Sequence, residues 1–146
     1  MGVFHRDLVG IQARVLERLG SRRVMIVHGV EGLDEISLSG PTLVGELRDG
    51  TIREYTIAPA DFGLAVADAA AVRVSSMEES KAMLLGALEN TPGPARDIVA
   101  LNAGASIYVA GLAATLADGV ANARDVIALG AARRKVDEFV ASTRNV

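Results

Sequence analysis

Asp34 and Glu35 are adjacent carboxylates inside a turn-rich segment, residues 24–42, which reads VMIVHGVEGLDEISLSGPT. Two neighbouring carboxylates can supply hard oxygen ligands to Mg²⁺, an ion that keeps several waters and is often shared with a substrate phosphate. The plainer alternative is a solvated acidic loop, because acidic pairs are common at protein surfaces. What precedes the pair favours a site. Val24, Met25, Ile26 and Val27 read as a buried parallel strand. In an open α/β sheet, ligands collect in the crevice beyond the carboxyl ends of the strands. The loop carrying Gly29, Gly32 and the two acids is expected to open into that crevice.

The elements that must hold this loop follow from periodicity. Residues 7–19 predict an amphipathic helix with Leu8, Ile11, Val15, Leu16 and Leu19 on its inner face and Gly20 as the residue that ends it. Helix, turn and strand make half of a βαβ unit without the strand that would precede it, a first hint of sequence lying elsewhere. Residues 42–48 and 51–57 flank Asp49-Gly50, a strong hairpin signal. Counting outward pairs Arg48 with Thr51, Leu47 with Ile52, Glu46 with Arg53 and Val44 with Tyr55. The charges of this structural hairpin are expected to form one solvated ladder. Residues 59–64 form a turn. Their Asp-Phe-Gly lacks the companion motifs of a protein kinase and carries no such meaning. Residues 65–74 have no firm assignment.

From Ser76 the pattern turns helical. Ser76 and Glu79 fit a capping box, with Leu84, Leu85 and Leu88 facing inward. Pro94 suits the first turn of a next helix that runs to about residue 117, with Ile98, Leu101, Ala105, Tyr108, Leu112 and Leu116 as its core stripe. Gly119 and Gly130 are expected to bound a shorter helix with Val120, Ala123 and Ile127. A last helix carries Val136, Phe139 and Val140 and ends in a polar tail. The fold class is therefore α/β: a partial parallel or mixed sheet with a β-hairpin, then a C-terminal helical region. The chain reads as one domain, 1–146, mixed α/β over 1–75 and helical over 76–146.

Composition narrows the function. Half of the residues are apolar, mean hydropathy is +0.31 and the formal net charge is −3. No Lys/Arg stripe is visible, so no nucleic-acid partner is expected. The absence of cysteine excludes disulfides and thiolate chemistry, and two histidines are too few for a His-based zinc site. No secretory signal is visible, and a cytoplasmic location is the default. Residues 98–117 carry no charge and are long enough to span a bilayer. Asn102, Ser106, Tyr108 and Thr115 interrupt the stretch, and no basic cluster flanks it. It reads instead as the centre of a packed domain, with no membrane partner, and Gly104, Ala110 and Gly111 would let backbones approach closely. His28 is expected to pack at the strand end rather than meet a substrate. Asn102 is expected to be a buried hydrogen-bonding residue rather than a ligand contact.

At residues 28–42, HGVEGLDEISLSGPT, the chain resembles the C-terminal part of the anthranilate phosphoribosyltransferases. GVFHRDLV (residues 2–9), REYTIAPADFGL (53–64), LNAGASIYVAG (101–111) and the terminal helix pair extend the resemblance collinearly over nearly the whole chain. Pyrimidine nucleoside phosphorylases share the general fold but are not expected to carry this Asp-Glu segment. The resemblance implies a domain of the nucleoside phosphorylase/phosphoribosyltransferase C-terminal type. It implies a Mg²⁺-dependent glycosyltransferase of tryptophan biosynthesis, joining anthranilate to phosphoribosyl pyrophosphate with release of pyrophosphate. In that role Asp34 and Glu35 help hold the Mg²⁺ on the pyrophosphate. A divalent cation stabilises the charge developing on the leaving oxygens. The ribose carbon passes through a cation-like state that needs no protein nucleophile.

The family's Gly-Thr-Gly-Gly-Asp loop, its Lys-His-Gly-Asn segment and its anthranilate-contacting arginine have no match here. Met1 stands where the family has an ordinary apolar residue, and Arg6 where proline is frequent. The chain is therefore expected to be a C-terminal portion that is inactive alone and acts with a missing N-terminal half. The family's homodimers form mostly through N-terminal helices, so a homodimer is implied only for the complete enzyme. The alternative reading is a non-catalytic fragment or interaction module derived from that enzyme. A membrane-associated helical protein built on residues 98–117 is a third.

Overall fold

The computed structural model describes residues 1–144. A helix α1 (Leu8–Arg18) precedes three strands, β1 (Arg23–Gly29), β2 (Thr42–Arg48) and β3 (Thr51–Ile57). Two 3₁₀ turns, Pro59–Phe62 and Ala69–Val72, lead into α2 (Met77–Leu88), α3 (Pro94–Val109), α4 (Leu116–Ala128) and α5 (Ala131–Thr143). The α/β class is as expected.

The sheet departs from the parallel expectation. Its order is β1-β2-β3 and both pairings are antiparallel. β1 and β2 form a wide hairpin in which Gly29 faces Thr42, and the segment with the two acids is its loop. Among the described residues, parallel pairing is confined to the bridge between Gly2 and Val27. There the Val3 amide donates to the Val27 carbonyl and the Val27 amide to the Met1 carbonyl, each at 3.0 Å. A buried apolar run does not by itself report strand direction, because burial on both faces is available to either pairing. The β2–β3 register matches the sequence count at all four pairs. Glu46, however, does not sit in a solvated ladder. It accepts from the Tyr55 and Tyr108 hydroxyls at 2.9 and 2.6 Å.

Alternation along the strands divides the core into two layers. Val24, Ile26, Leu43 and Ile52 pack with Val3, Val9 and Ala13 on the α1 side. Met25, Val27, Val44 and Ile57 pack with Leu101, Ala105, Tyr108 and Val120 on the α3–α4 side. α1 ends as expected at Gly20: the Gly20 amide donates to the Glu17 carbonyl at 2.9 Å and the Ser21 amide to the Leu16 carbonyl at 3.0 Å. Its inner face is shifted, however. Val9, Gly10 and Ala13 are buried, while Ile11, Val15 and Leu19 are 47%, 44% and 75% exposed. The small residues allow a closer approach to the sheet: a Cβ on Gly45 would lie 3.0 Å from Val9 Cγ1.

The long uncharged stretch is not one helix. α3 stops at Val109. Gly111 takes φ +79°, the Gly111 amide donates to the Tyr108 carbonyl at 3.0 Å and the Leu112 amide to the Ile107 carbonyl at 3.1 Å. These two bonds satisfy the terminal carbonyls in the pattern of a Schellman stop. Thr115 then caps α4, its Oγ1 accepting from the Asp118 amide at 3.1 Å while Asp118 returns a bond to the Thr115 amide. Leu112 therefore lies exposed in the connection, and Gly119 lies inside α4 rather than before it. Gly104 and Gly119 form the α3–α4 crossing: a Cβ on Gly104 would lie 2.5 Å from Val120 Cα. Ser76 caps α2, but Glu79 returns its bond to the Ser75 amide, and Leu84 is half exposed. Phe139 and Val140 on α5 are exposed. Residues 145–146 of the expected polar tail lie outside the described residues. No described helix is long and apolar enough to cross a membrane.

Candidate functional site

The β1–β2 loop is a tethered structure. Its first turn closes on the strand end, where the Gly32 amide donates to the Gly29 carbonyl and the Gly29 amide to the Leu33 carbonyl, both at 2.8 Å. Its second half is sunk into the core, with Ile36, Ser37 and Leu38 buried. The Ser37 amide donates to Thr42 Oγ1 at 3.0 Å, and the Ser39 amide to Ser37 Oγ at 2.9 Å. Ser37 Oγ in turn donates to the Glu31 carboxylate. From α3, the Asn102 side chain accepts from the Ile36 amide and donates to the Ile36 carbonyl, each at 2.9 Å.

Asp34 and Glu35 lie just before this anchored half, with exposed side chains. Residues 1–3 pack against their backbone from the other side. Gly2 passes so close that a Cβ on it would lie 1.4 Å from the Asp34 carbonyl oxygen, so only glycine fits there. Glu35 lines a cleft of about 390 Å³ together with Arg23, Met25, Ile36, Asn102 and Ser106. Partial burial in that wall, and then the neighbouring Asp34 charge, push the Glu35 carboxyl above its ordinary value, opposed by the chain's amino group. Among the described residues neither acid takes part in an ion pair.

This donor set fits a hard divalent cation. Two adjacent carboxylates repel one another, and a bound cation relieves that repulsion. No group of three or more His, Cys, Asp or Glu among the described residues could hold a metal. An ion held by these two acids takes the rest of its shell from elsewhere, as Mg²⁺ commonly does from water and substrate oxygens.

The other expectations resolve clearly. His28 is buried at the strand end, its Nδ1 2.8 Å from the Val3 carbonyl, so it ties residues 1–3 to β1. Asn102 is a hydrogen-bonding residue, with a third bond from Nδ2 to the Ile98 carbonyl at 3.1 Å. Glu31 was not singled out by the sequence reading, although it lies in the same turn-rich segment three positions before Asp34. Its role depends on Ser37, a partner that only the folded loop brings near. On that flank of the loop a second cleft, of about 350 Å³, is lined by Glu31, Ser37, Ser39, Asp68 and Arg73.

The chain is 59% identical over all 146 residues to the anthranilate phosphoribosyltransferase of Xanthomonas euvesicatoria pv. vesicatoria (strain 85-10), and it covers 42% of that protein. The crystal structure of anthranilate phosphoribosyltransferase from Thermus thermophilus matches with a TM-score of 0.89 and 40% identity, over 98% of this chain and 42% of that one. The Saccharomyces cerevisiae enzyme in complex with PRPP and Mg matches with a TM-score of 0.84 at 23% identity, over 99% of this chain and 42% of that one. The chain thus spans about two fifths of the length of these relatives. A family model described as "Glycosyl transferase family, a/b domain" matches residues 1–133. With that match running from the first strand contact at Gly2 into α5, the chain belongs to the glycosyl transferase family, a/b domain.

Proposed function

We propose that this chain is the metal-holding C-terminal portion of an anthranilate phosphoribosyltransferase. The complete protein would transfer phosphoribose from phosphoribosyl pyrophosphate to anthranilate. The observation that carries this reading is the Asp34–Glu35 pair: two adjacent carboxylates in no ion pair among the described residues, on a loop tethered to α3 by Asn102 and packed against Gly2, with Glu35 in a cleft wall. The yeast relative bound to PRPP and Mg supports the choice of ion and substrate.

In this reading Asp34 and Glu35 hold Mg²⁺ through their carboxylate oxygens. Bound there, the ion supplies Lewis-acid stabilisation of the diphosphate leaving group. The tethered loop presents both carboxylates in one orientation, so little ordering remains to be done when the substrate arrives. Glu35 must be ionised to act as a ligand, and a cation favours that ionised form against the burial that opposes it. The phosphate cradle and the anthranilate contacts belong to the remainder of the protein. That remainder also completes the sheet: further parallel strands add on the side of β1 where residues 1–3 already pair, giving the mixed sheet. Residues 1–146 then act as one unit of a larger α/β domain, in the cytoplasm, within a homodimer of the complete enzyme.

The test is a chimera. This chain replaces the matching segment of the Xanthomonas relative, and anthranilate fluorescence is followed with phosphoribosyl pyrophosphate and Mg²⁺. Loss of anthranilate supports the reading. A folded chimera that consumes none contradicts it.

A further inference from the structure

We infer that Asn102 is a positioning residue for the carboxylate pair, setting cation affinity without touching the cation. The inference rests on the metal-holding reading of Asp34 and Glu35. An Asn side chain has two amide hydrogens and a carbonyl oxygen. Here Oδ1 accepts from the Ile36 amide at 2.9 Å, and Nδ2 donates to the Ile36 carbonyl at 2.9 Å and to the Ile98 carbonyl at 3.1 Å. Both hydrogens are committed, so the amide has no donor left for a ligand. The same three bonds fix its orientation, because a flipped amide would set donor against donor at Ile36.

The bond to Ile98 ties Asn102 to its own helix one turn back, and the two bonds to Ile36 tie the loop to that helix. Ile36 has neither strand nor helix to satisfy its backbone, yet it is only 2% exposed. Asn102 stands in for the missing strand partner, meeting a buried N–H and C=O at once. The next residue back along the chain is Glu35. Fixing the backbone at Ile36 therefore fixes the direction in which Glu35 leaves the loop, while Gly2 packs against the Asp34 carbonyl from the other side. Groups that orient metal ligands from behind commonly change affinity by about 10- to 100-fold when removed.

The experiment uses the chimera, saturated with phosphoribosyl pyrophosphate, with Mn²⁺ as a paramagnetic probe for Mg²⁺, reading the broadening of the amide signals of the loop. Urea unfolding is measured on the same samples. The unsubstituted chimera is expected to show saturable broadening centred on residues 34–36, lost in Asp34→Ala/Glu35→Ala. Asn102→Ala is expected to raise the apparent Kd by about 10-fold. Asn102→Ser keeps a small polar side chain, adds no charge to the cleft and is too short to bridge both groups of Ile36. It guards against a failure of the alanine variant to fold, and is expected to weaken binding while unfolding cooperatively. Unchanged Kd in a folded Asn102 variant overturns the positioning role and leaves the metal reading standing. Absence of saturable broadening in the unsubstituted, folded chimera overturns the metal reading, and this inference with it.

Discussion

The Tyr108 hydroxyl of α3 donates to the Glu46 carboxylate of β2 at 2.6 Å. Tyr55 of β3 donates to the same carboxylate at 2.9 Å, and Arg48 donates to the Tyr108 hydroxyl at 3.0 Å. The guanidinium groups of Arg23 and Arg48 lie 5.4 and 5.7 Å from the centre of the Tyr108 ring. Around one half-buried carboxylate this cluster gathers groups from all three strands and a helix, and holds the helical layer against the sheet.

Glu46→Ala leaves two hydroxyl donors without their acceptor. Hydrogen bonds to charged groups are worth about 1.5–3 kcal/mol, and a loss of that order is expected in urea unfolding. Glu46→Gln, which keeps one acceptor oxygen, is expected to lose less. Equal stability of Glu46→Ala and the unsubstituted chain would remove this cluster from the fold's support.

Tyr55 gives the cluster a pH signature. Burial, and then the bond to Glu46, push its phenol well above the ordinary tyrosine value. The raised value means that the folded state keeps the proton after the unfolded state has lost it. The stability this contributes is full below about pH 10, the unfolded value, and is lost as pH rises beyond it. In Tyr108→Phe, Tyr55 is the only tyrosine left. Its absorbance titration is expected well above pH 10, and a midpoint at the ordinary value would contradict the burial described here.

The parts of the fold legible in the sequence were those fixed by local chemistry. Asp49-Gly50 set the hairpin register residue by residue, and Gly20 marked the end of α1. The apolar run of β1 was legible as a buried strand, with the Asp-Glu pair in the loop after it. Direction and facing were less legible. The same apolar run serves a parallel or an antiparallel β1, and the α1 stripe was taken from the large residues although the sheet contact is made by Val9, Gly10 and Ala13. The helix end at Gly111 and the cap at Thr115 and Asp118 were readable signals, outweighed by the absence of charge across residues 98–117. Asn102 was recognisable as a buried polar residue, but its partner at Ile36 is 66 positions away and no local pattern reports it.

The α3–α4 crossing offers a direct test of packing. A methyl group at position 104 would meet the backbone of Val120, which has no flexible end to move aside. Gly104→Ala is expected to destabilise by about 1–3 kcal/mol, the usual cost of overpacking, despite alanine's better helix propensity. A gain in thermal stability would contradict the close approach.

The outward stripe of α1 makes the opposite kind of prediction. Ile11 and Leu19 contribute little to the core of this chain, so Ile11→Gln with Leu19→Gln is expected to change its unfolding free energy by no more than about 0.5 kcal/mol for each surface site. Sedimentation velocity is expected to show weaker self-association, since an exposed apolar stripe invites it. A large loss of stability would place these residues in the core instead.

The most direct measurement of the central claim is a Mg²⁺ titration of the chimera, with and without Asp34→Ala/Glu35→Ala, following anthranilate consumption at saturating phosphoribosyl pyrophosphate. The expected result is a folded double variant whose turnover falls at least about 100-fold, as for loss of a principal electrostatic stabiliser, and whose Mg²⁺ requirement shifts upward. A double variant with the turnover and the Mg²⁺ dependence of the unsubstituted chimera would contradict it.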